Sequence, residues 1–480
     1  MYLLIQLSVE PISVIRSIIY IAYVLTVLGT IIVVITENQN PIKTLAWVLI
    51  LNFIPVLGLI LYYVLGQDTQ RKKYFKKRHK TVDFQLPSLK SIKNNTQKVP
   101  ESYHNLMNLA LQSENGWVLY GSDIEIMNRG EQKFNALIQD LKNARHHIHM
   151  EYFLFNKDET GKEIKKILME KAAEGVEVRF IYENIANITV PAKFYLEMEK
   201  SGVKVCPFLK ISLPRIRRTI NYRNHRKVVI IDGEIGYVGG MNIGNVYAKD
   251  PHWRDTHLRI KGQGVYGLQA NFITDWYSSG ESDITDYANY FPPAKIYSDN
   301  LMQIVSGGPD LPYHNLLQTI IRMIIESKRY IYIQTPYFLP TESLLQALQS
   351  AVLSGIDVRL MVSKTSDSPY VDPAARSYYE GLLAAGMRIY EHQTKFIHAK
   401  TIVSDDYVSM IGSTNMDFRS FEASFELNCY MYDPNIALEN KAIFMEDLQG
   451  CKEILLEEFE KRPAWKKMLE SFMRLFAPLM

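Results

Sequence analysis

The chain has 480 residues, of which 47% are hydrophobic, so it is long enough for two or three domains and apolar enough for membrane spans as well as cores. Its 54 Lys and Arg nearly balance 51 Asp and Glu, and the net charge of +3 argues against a general nucleic-acid binder. The three cysteines lie far apart, which argues against a disulfide framework or a zinc site: Cys206, Cys429 and Cys451.

Two apolar runs near the N-terminus predict a pair of membrane-spanning helices. Residues 17–35 are uncharged, and their length is close to the ~20 residues that a helix needs to cross a bilayer. A second run covers 44–66, after a polar turn that contains Pro41. A signal peptide is disfavoured because only Arg16 precedes the first run and no cleavage pattern follows it, and adjacent runs of this length are rare in soluble cores. We therefore expect a transmembrane hairpin over 1–66.

A strongly basic segment, 71–80, follows the second run within a linker that we place at 67–100. Positive flanks stay on the cytoplasmic side, so the segment predicts a multi-pass protein of the plasma membrane whose later domains face the cytoplasm. The same segment would also lie against anionic headgroups, where each Lys or Arg contributes roughly 1 kcal/mol.

The remainder of the chain predicts a duplicated α/β unit. Apolar strand-like runs alternate with helical patterns, and three short segments recur in the same order, at residues 147–153 and 330–338, 175–180 and 355–360, and 200–205 and 385–390. The spacing is far too long for a solenoid, so duplication of a whole domain explains it best. We expect domains over 101–290 and 291–480, with the boundary near the paired prolines Pro292 and Pro293.

Each copy contains the pattern His-x-Lys-x-x-x-x-Asp, followed by a Gly-rich or Gly/Ser turn and an Asn. The residues are His225, Lys227, Asp232 and Asn242 in the first copy, and His398, Lys400, Asp405 and Asn415 in the second. Alternation along a strand puts each His and Lys on the same face. One such pattern arises by chance in roughly a few per cent of chains of this length, and a core role for either histidine alone is reasonable. Two copies at equivalent positions indicate a shared site.

The paired motifs fit phosphodiester chemistry, which needs a nucleophile, an acid for the leaving alkoxide, and donors that hold charge on the phosphate oxygens. A nucleophilic His must be neutral and held in one tautomer, usually by a carboxylate on its other ring nitrogen. Asp255 and Glu426 stand at matching distances downstream of the two motifs. We therefore expect them to orient the histidines.

These motifs resemble those of the phospholipase D superfamily, and the flanking sequence resembles the bacterial cardiolipin synthases over almost the whole chain. The similar passages are residues 44–47, 223–227, 253–257, 335–338, 376–379 and 415–421. The resemblance implies two tandem phospholipase D-like α/β domains with mixed β-sheets flanked by helices, preceded by the transmembrane hairpin.

The resemblance also implies a reaction in which a motif histidine attacks one phosphatidylglycerol and releases glycerol, after which a second phosphatidylglycerol accepts the phosphatidyl group and gives cardiolipin. His225 would be the nucleophile and His398 the acid and base, and the near-symmetry of the copies leaves the reverse assignment open. The implied phosphate-binding residues are Lys227, Lys400, Asn242 and Asn415. Asp232 and Asp405 complete the motifs and look structural. Exchange of phosphodiesters needs no nucleotide, and we expect no cofactor or metal.

A hydrolase with the same site and an inactive lipid-binding protein are the rival interpretations. The segment 182–187 and Ser413 depart from the family pattern, and the first of them bears on the choice of acceptor. The partners expected are phosphatidylglycerol and anionic membrane lipids, with no nucleic acid; the oligomeric state cannot be predicted.

Three other features have structural and functional interpretations. The cluster of His146, His147 and His149 has no carboxylate or thiolate partner nearby in sequence, so a structural role is favoured over a metal site. Arginines between 215 and 223 indicate either a solvated face or contact with anionic lipid. An apolar stripe over 465–479 indicates either core packing or an interfacial helix.

Overall fold

The computed structural model describes residues 2–37, 41–62, 99–210, 222–281, 283–284 and 286–479. Part of the predicted polar turn, the basic segment 71–80, nearly all of the linker and the arginines at 215–218 lie outside the described residues. The chain forms two compact units, one with the N-terminal helices and the other with both copies of the duplicated domain, within 78–210 and 222–480.

The N-terminal unit contains three helices, α1 (Tyr2–Glu37), α2 (Pro41–Phe53) and α3 (Pro55–Leu61). Within α1, Val14–Thr36 has a mean hydropathy of 2.7, and its length and composition suffice to cross a membrane. The second predicted run differs from expectation, because it breaks at Ile54 instead of forming one helix. Proline lacks the N–H that would continue α2, but it suits the first turn of α3. Among the described residues, only α1 contains a helix of spanning length.

The sheet of the first repeat is mixed and has seven strands within the described residues. Their spatial order is β2 (Asp123–Met127), β10 (His257–Lys261), β8 (Ile235–Gly239), β7 (Lys227–Ile231), β3 (His147–Tyr152), β4 (Glu177–Glu183) and β5 (Lys204–Phe208). The last three run parallel, as expected where helices connect consecutive strands, and the other neighbours are antiparallel.

The second sheet repeats this order and adds a strand at each edge. Its strands are β1 (Leu119–Tyr120), β11 (Leu301–Gly307), β20 (Ser424–Tyr432), β18 (Val408–Gly412), β17 (Thr401–Ser404), β12 (Tyr330–Gln334), β14 (Asp357–Ser363), β15 (Arg388–His392) and β21 (Cys451–Glu453). Two further short strands, β13 (Phe338–Leu339) and β19 (Met416–Asp417), pair in parallel. The α/β architecture with mixed sheets predicted from the sequence is thereby confirmed. One difference is that residues 101–120, predicted to belong to the first domain, pack with the second, because β1 pairs with β11.

Helices cover the faces of both sheets. Those of the first repeat and the segment before it are α4 (His104–Leu111), α5 (Gly130–Lys142), α6 (Glu159–Ala173), α7 (Ala192–Lys200), α8 (Asn245–Lys249) and α9 (Gly264–Ser278). Those of the second are α10 (Asn315–Glu326), α11 (Glu342–Leu353), α12 (Val371–Arg376), α13 (Tyr379–Ala385), α14 (Phe418–Glu422), α15 (Pro434–Leu448), α16 (Leu456–Glu460) and α17 (Ala464–Arg474).

Two equivalent helices join the repeats. Helix α9 is buried along nearly its whole length and packs on β3, β7 and β8 of its own sheet and on β11 of the other. Helix α15 packs on β12, β17 and β18 and reaches β2 of the first sheet. The two sheets therefore share one interior instead of forming separate lobes.

Each motif aspartate closes the tight turn that follows its strand. Asp232 and Asp405 adopt φ of 57° and 56°, a left-handed conformation that Asp tolerates better than most residues. The carboxylate of Asp232 accepts hydrogen bonds from the backbone N–H groups of residues 145–147 at 2.7–2.9 Å. That of Asp405 accepts from residues 328–330 at 2.7–3.0 Å. Both carboxylates thus anchor the start of the neighbouring central strand, β3 or β12.

Replacing Asp232 with Ala should therefore lower the free energy of unfolding by about 2 kcal/mol, because three backbone donors lose their acceptor. Denaturant unfolding of the full chain in detergent measures the change. Asp123→Ala, at an exposed position of β2, is the control and should have little effect. If the two variants were equally stable, the anchoring role of Asp232 would be wrong.

Candidate active site

Two short parallel bridges between the repeats build the site. Strand β6 (Arg223–Asn224) leaves the first repeat and pairs with the start of β20, with Asn224 opposite Phe425. Strand β16 (Phe396–Ile397) pairs with β9 (Trp253–Arg254) of the first repeat, with Ile397 opposite Arg254. Each bridge ends one residue before a motif histidine on one side and one residue before a carboxylate on the other.

The histidines consequently pair with the carboxylate of the opposite repeat. Nδ1 of His225 lies 2.9 Å and 3.0 Å from the two carboxylate oxygens of Glu426. Nδ1 of His398 lies 2.6 Å from Oδ2 of Asp255. With its proton on Nδ1, each neutral imidazole donates a hydrogen bond to its carboxylate. The lone pair on Nε2 is then available.

Each motif lysine contacts its motif histidine, but both histidines and Lys400 precede the strands β7 and β17, so the expected alternation along one strand does not position them. Nζ of Lys227 donates to the backbone oxygen of His225 at 2.6 Å, and Nζ of Lys400 donates to that of His398 at 2.5 Å. Both lysines are almost fully buried. Each ammonium is therefore held close to its histidine, with donors left over for an anion.

The Gly-rich turns leave room for the carboxylates and carry the asparagines. A Cβ at Gly240 would overlap the Asp255 carboxylate, so a side chain at this position would displace it. In the second copy Ser413 takes the equivalent place, and its Oγ accepts from the N–H of Leu427 at 3.0 Å. Oδ1 of Asn242 accepts from the N–H of Leu154 at 3.2 Å, which fixes the orientation of this amide.

The two histidines and two asparagines open into one cavity of about 480 Å³. Its further lining residues include Phe153, Ile185, Ala186, Arg223, Tyr247, Trp253, Tyr337, Asp367, Val371, Arg419, Ser420 and Glu426. The sequence therefore identified residues that meet in space, while Asp232 and Asp405 bind backbone groups at the opposite ends of their strands. Ile185 and Ala186 belong to the segment 182–187, so the departure from the family pattern does border the site.

The pKa values of the two buried carboxylates shift in opposite directions. It raises the pKa of Glu426 to about 7, although Lys227 and the hydroxyls of Ser413 and Ser420 oppose the shift. Asp255 is also buried, but the charge and hydrogen bond of His398, together with Lys400, hold its pKa below the ordinary value. The site thus contains one carboxylate that ionises only near neutrality and one that stays ionised.

The pKa values of both motif histidines and both motif lysines are lowered. Burial and then the neighbouring lysines hold the pKa of His225 well below its ordinary value. Burial and Lys400 lower the pKa of His398 to about 4, with Asp255 opposing. Burial also lowers the pKa of Lys400 to about 8 and holds that of Lys227 well below its ordinary value. Bound anion would offset these shifts, since a negative charge favours the protonated forms.

Several residues at the site were not predicted to act there. Phe153 packs its ring edge against His225 with centroids 4.8 Å apart, and Trp253 lies 5.0 Å from His398. The hydroxyl of Tyr337 donates to Asp367 at 2.5 Å at the side of the cavity. Trp253 stands in a passage that the family resemblance includes, but Asp367 comes from a loop without a motif. Only the folded chain brings that loop to the cavity.

The cluster of three histidines lies away from this cavity. Nε2 of His147 is 3.0 Å from Oε1 of Gln269, and Nδ1 of His149 is 2.8 Å from Nε2 of the same amide. The ring of His149 stacks on Phe272, with centroids 4.5 Å apart. These contacts support the predicted structural role, in which the cluster packs α9 onto β3.

Comparison with known proteins identifies the family. The duplicated fold and its paired motifs define a phospholipase D-like protein, and the family described as "Cardiolipin synthase, PLD-like domain" matches residues 137–276 and 320–448. A family described as "Phospholipase_D-nuclease N-terminal" matches residues 24–67. The chain belongs to the cardiolipin synthase family of phospholipase D-like proteins.

Named relatives match nearly the whole chain. The cardiolipin synthase of Listeria monocytogenes serotype 4a is 37% identical over 473 residues, which cover 96% of this chain and 98% of the relative. The major cardiolipin synthase of Bacillus subtilis is 38% identical over 472 residues, with 95% and 98% covered. Phosphatidylserine synthase from Haemophilus influenzae shares the fold, with a TM-score of 0.61 at 14% identity over 81% of this chain and 100% of that chain.

The crossed pairing can be tested through the histidine tautomers. Without the carboxylate of Asp255, the Asp255→Ala variant should no longer hold the proton of His398 on Nδ1. The tautomer of His225, which pairs with Glu426, should stay unchanged. Nitrogen NMR of histidine-labelled protein distinguishes the tautomers. Glu426→Ala is the matched variant and should give the reverse pattern. If Asp255→Ala instead altered His225, each pair would lie within one repeat and the bridges would be wrong.

Proposed function

We propose that the chain transfers a phosphatidyl group from one phosphatidylglycerol to another through a phosphatidyl-histidine intermediate, giving cardiolipin and glycerol. Cardiolipin synthases similar over nearly the whole chain support this reaction. The observation that carries it is the pair of histidines in one cavity, each with its own carboxylate. Two histidines allow one to hold the phosphatidyl group while the other moves protons.

In the first step, Nε2 of His225 attacks phosphorus and the bond from phosphorus to the glycerol oxygen breaks. His398 gives a proton to the leaving alkoxide, so glycerol departs neutral. In the second step, His398 takes a proton from a hydroxyl of the second phosphatidylglycerol, whose oxygen attacks phosphorus while the phosphorus–nitrogen bond breaks. One phosphodiester replaces another, so the exchange is close to isoenergetic and uses no nucleotide.

The electrostatics favour His225 as the nucleophile. Its very low pKa keeps the imidazole neutral, as attack requires. His398 pairs with a carboxylate that stays ionised, and an ionised partner stabilises the imidazolium that an acid and base must form. The anionic phosphate of the substrate would raise the pKa of His398 on binding and so load it with the proton that it donates.

The motif lysines and asparagines are suited to the phosphate itself. Lys227 and Lys400 supply positive charge where it develops on the equatorial oxygens, in a buried site where such interactions are strongest. Asn242 and Asn415 line the same cavity and would add hydrogen bonds to these oxygens. We assign Asp255 and Glu426 to orienting the histidines, and Asp232 and Asp405 to holding the strands.

We further infer that the N-terminal unit spans the plasma membrane as a hairpin, with the catalytic unit on the cytoplasmic side. Helices α2 and α3 pack on α1 around Val34, Leu51 and Tyr62, which supports two adjacent crossings. The sequence of the basic segment 71–80 supports the orientation. Phosphatidylglycerol and other anionic lipids of the same membrane are then within reach.

Purified full-length protein incubated with phosphatidylglycerol alone should form cardiolipin and glycerol in equal amounts, as lipid analysis and a glycerol assay would show. His225→Ala and His398→Ala should each lower turnover by at least about a thousandfold. An alanine at the exposed Asp123 serves as the control. Phosphatidic acid without cardiolipin would overturn the proposal in favour of hydrolysis, and no turnover would favour an inactive lipid-binding protein.

A substrate with a reactive leaving group separates the histidine roles. A phosphatidyl ester of nitrophenol needs no acid for its departure, so His398→Ala should still release nitrophenol once and accumulate a phosphatidyl adduct. His225→Ala should form neither product. Rapid quenching followed by intact mass measurement detects the adduct. The opposite pattern would make His398 the nucleophile.

A further inference from the structure

The final α-helix, α17, packs on the catalytic unit through Met473 and through several charged side chains. Glu470 is only 6% exposed, and its carboxylate lies 3.0 Å from a guanidinium nitrogen of Arg462 and 3.8 Å from one of Arg376. Nζ of Lys467 lies 3.6 Å from a carboxylate oxygen of Glu380. The inner side of the helix therefore contains ion pairs, where a helix of a soluble protein usually presents apolar residues.

The opposite side of α17 and the residues that follow it are apolar and exposed. Six large side chains there are 40–72% exposed, namely Trp465, Met468, Leu469, Phe472, Leu475 and Phe476. Their spacing of three and four residues places them on one face. The apolar stripe predicted from the sequence is therefore not core packing, and a continuous apolar face of this kind indicates a binding surface.

Helix α17 and the residues after it contact two elements that line the catalytic cavity. Helix α12 packs against α17, and Val371 at its start lines the cavity. The neighbouring Tyr370 is 65% exposed. Residues Ala477–Leu479, which begin three positions after the last residue of α17, contact α14, whose Arg419 and Ser420 also line the cavity. A surface that covered the apolar face would thus lie beside the entrance.

The size of the cavity and the charges of the helix indicate what that surface is. A cavity of about 480 Å³ accommodates a phospholipid headgroup but not its two acyl chains as well. The acyl chains must therefore remain in a bilayer next to the entrance, an argument that rests on the proposed phospholipid substrates. Lys466 and Arg474 are the exposed charges of the helix, both positive, and anionic headgroups attract such residues.

We propose that the apolar face of residues 465–476 lies in the interfacial layer of an anionic phospholipid bilayer and holds the entrance of the catalytic cavity against it. The N-terminal apolar helix attaches the chain to a membrane. The C-terminal helix orients the catalytic unit on that membrane, so that a headgroup enters the cavity while its acyl chains stay among other lipids.

Depth-dependent quenching in the full-length protein tests the docking. Cys451 is replaced by Ser, and a fluorophore is attached to Met468→Cys or, as control, to Leu438→Cys. Leu438 is 49% exposed in α15, which begins after the end of β20 remote from Glu426. In phosphatidylglycerol vesicles, lipids with a quencher on the acyl chain should quench the label at 468 at least about threefold more strongly than that at 438. Equal quenching would overturn the proposal.

The same labelled positions distinguish a bilayer from a second copy of the protein as the surface that covers this face. Shielding of the label at 468 from both the lipid quencher and an aqueous quencher, with disulfide formation between copies of the Met468→Cys protein, would show that a second copy covers the face. That result would also overturn the proposal. The quenching measurement does not depend on turnover, so it still reports on docking if the proposed reaction proves wrong.

Activity provides the second readout. Replacing Phe472 and Leu475 with Ser should lower cardiolipin formation in vesicles about tenfold and leave turnover of a short-chain, fully dispersed phosphatidylglycerol unchanged. Leu438→Ser is the matched control and should change neither. Equal loss with both substrates would mean that the face supports the folded site instead of docking it, and unchanged activity with vesicles would exclude a role in orientation.

Discussion

The site depends on two short parallel bridges, each only two residue pairs long, that connect the repeats. The register of a β-pair fixes which residues stand opposite each other, and a slip of one residue would turn each side chain to the other face. Here the register places His225 beside Glu426 and His398 beside Asp255. The geometry of the catalytic pairs is therefore a property of the interface between repeats, and neither sheet alone contains a complete pair.

A nearly symmetric backbone nevertheless gives an asymmetric electrostatic environment. The motifs occupy equivalent positions in sheets of the same strand order, but one partner is Glu with a pKa of about 7 and the other is Asp with a lowered pKa. The Gly240 and Ser413 positions differ accordingly, since one has to leave space for a carboxylate and the other supplies a hydroxyl. Small substitutions in a duplicated frame can thus give the two histidines unequal chemistry.

The sequence predicted the α/β repeats and the residues that meet in the cavity, because strand periodicity and the repeated motif are local signals. It did not predict the crossing of the pairs, which depends on register between segments about 150 to 200 residues apart. Pro55 could have predicted the helix break at Ile54, but the continuous hydropathy of the run favoured a single helix. The two-residue strand β1 and the loop that carries Asp367 have no periodicity from which their positions could be derived. The roles of the individual site residues stay predictions.

The sharing of one interior by both sheets has a consequence for how such a chain can change over time. Helix α9 of the first repeat packs on β11 of the second, and α15 of the second reaches β2 of the first. Once a duplicated domain is joined in this way, the halves cannot drift apart in sequence independently. A substitution in one half is retained only if it still fits the surface of the other half. Exchange of a single repeat between relatives would therefore combine two repeats that had not adapted to each other. The two repeats are thus expected to evolve as one unit.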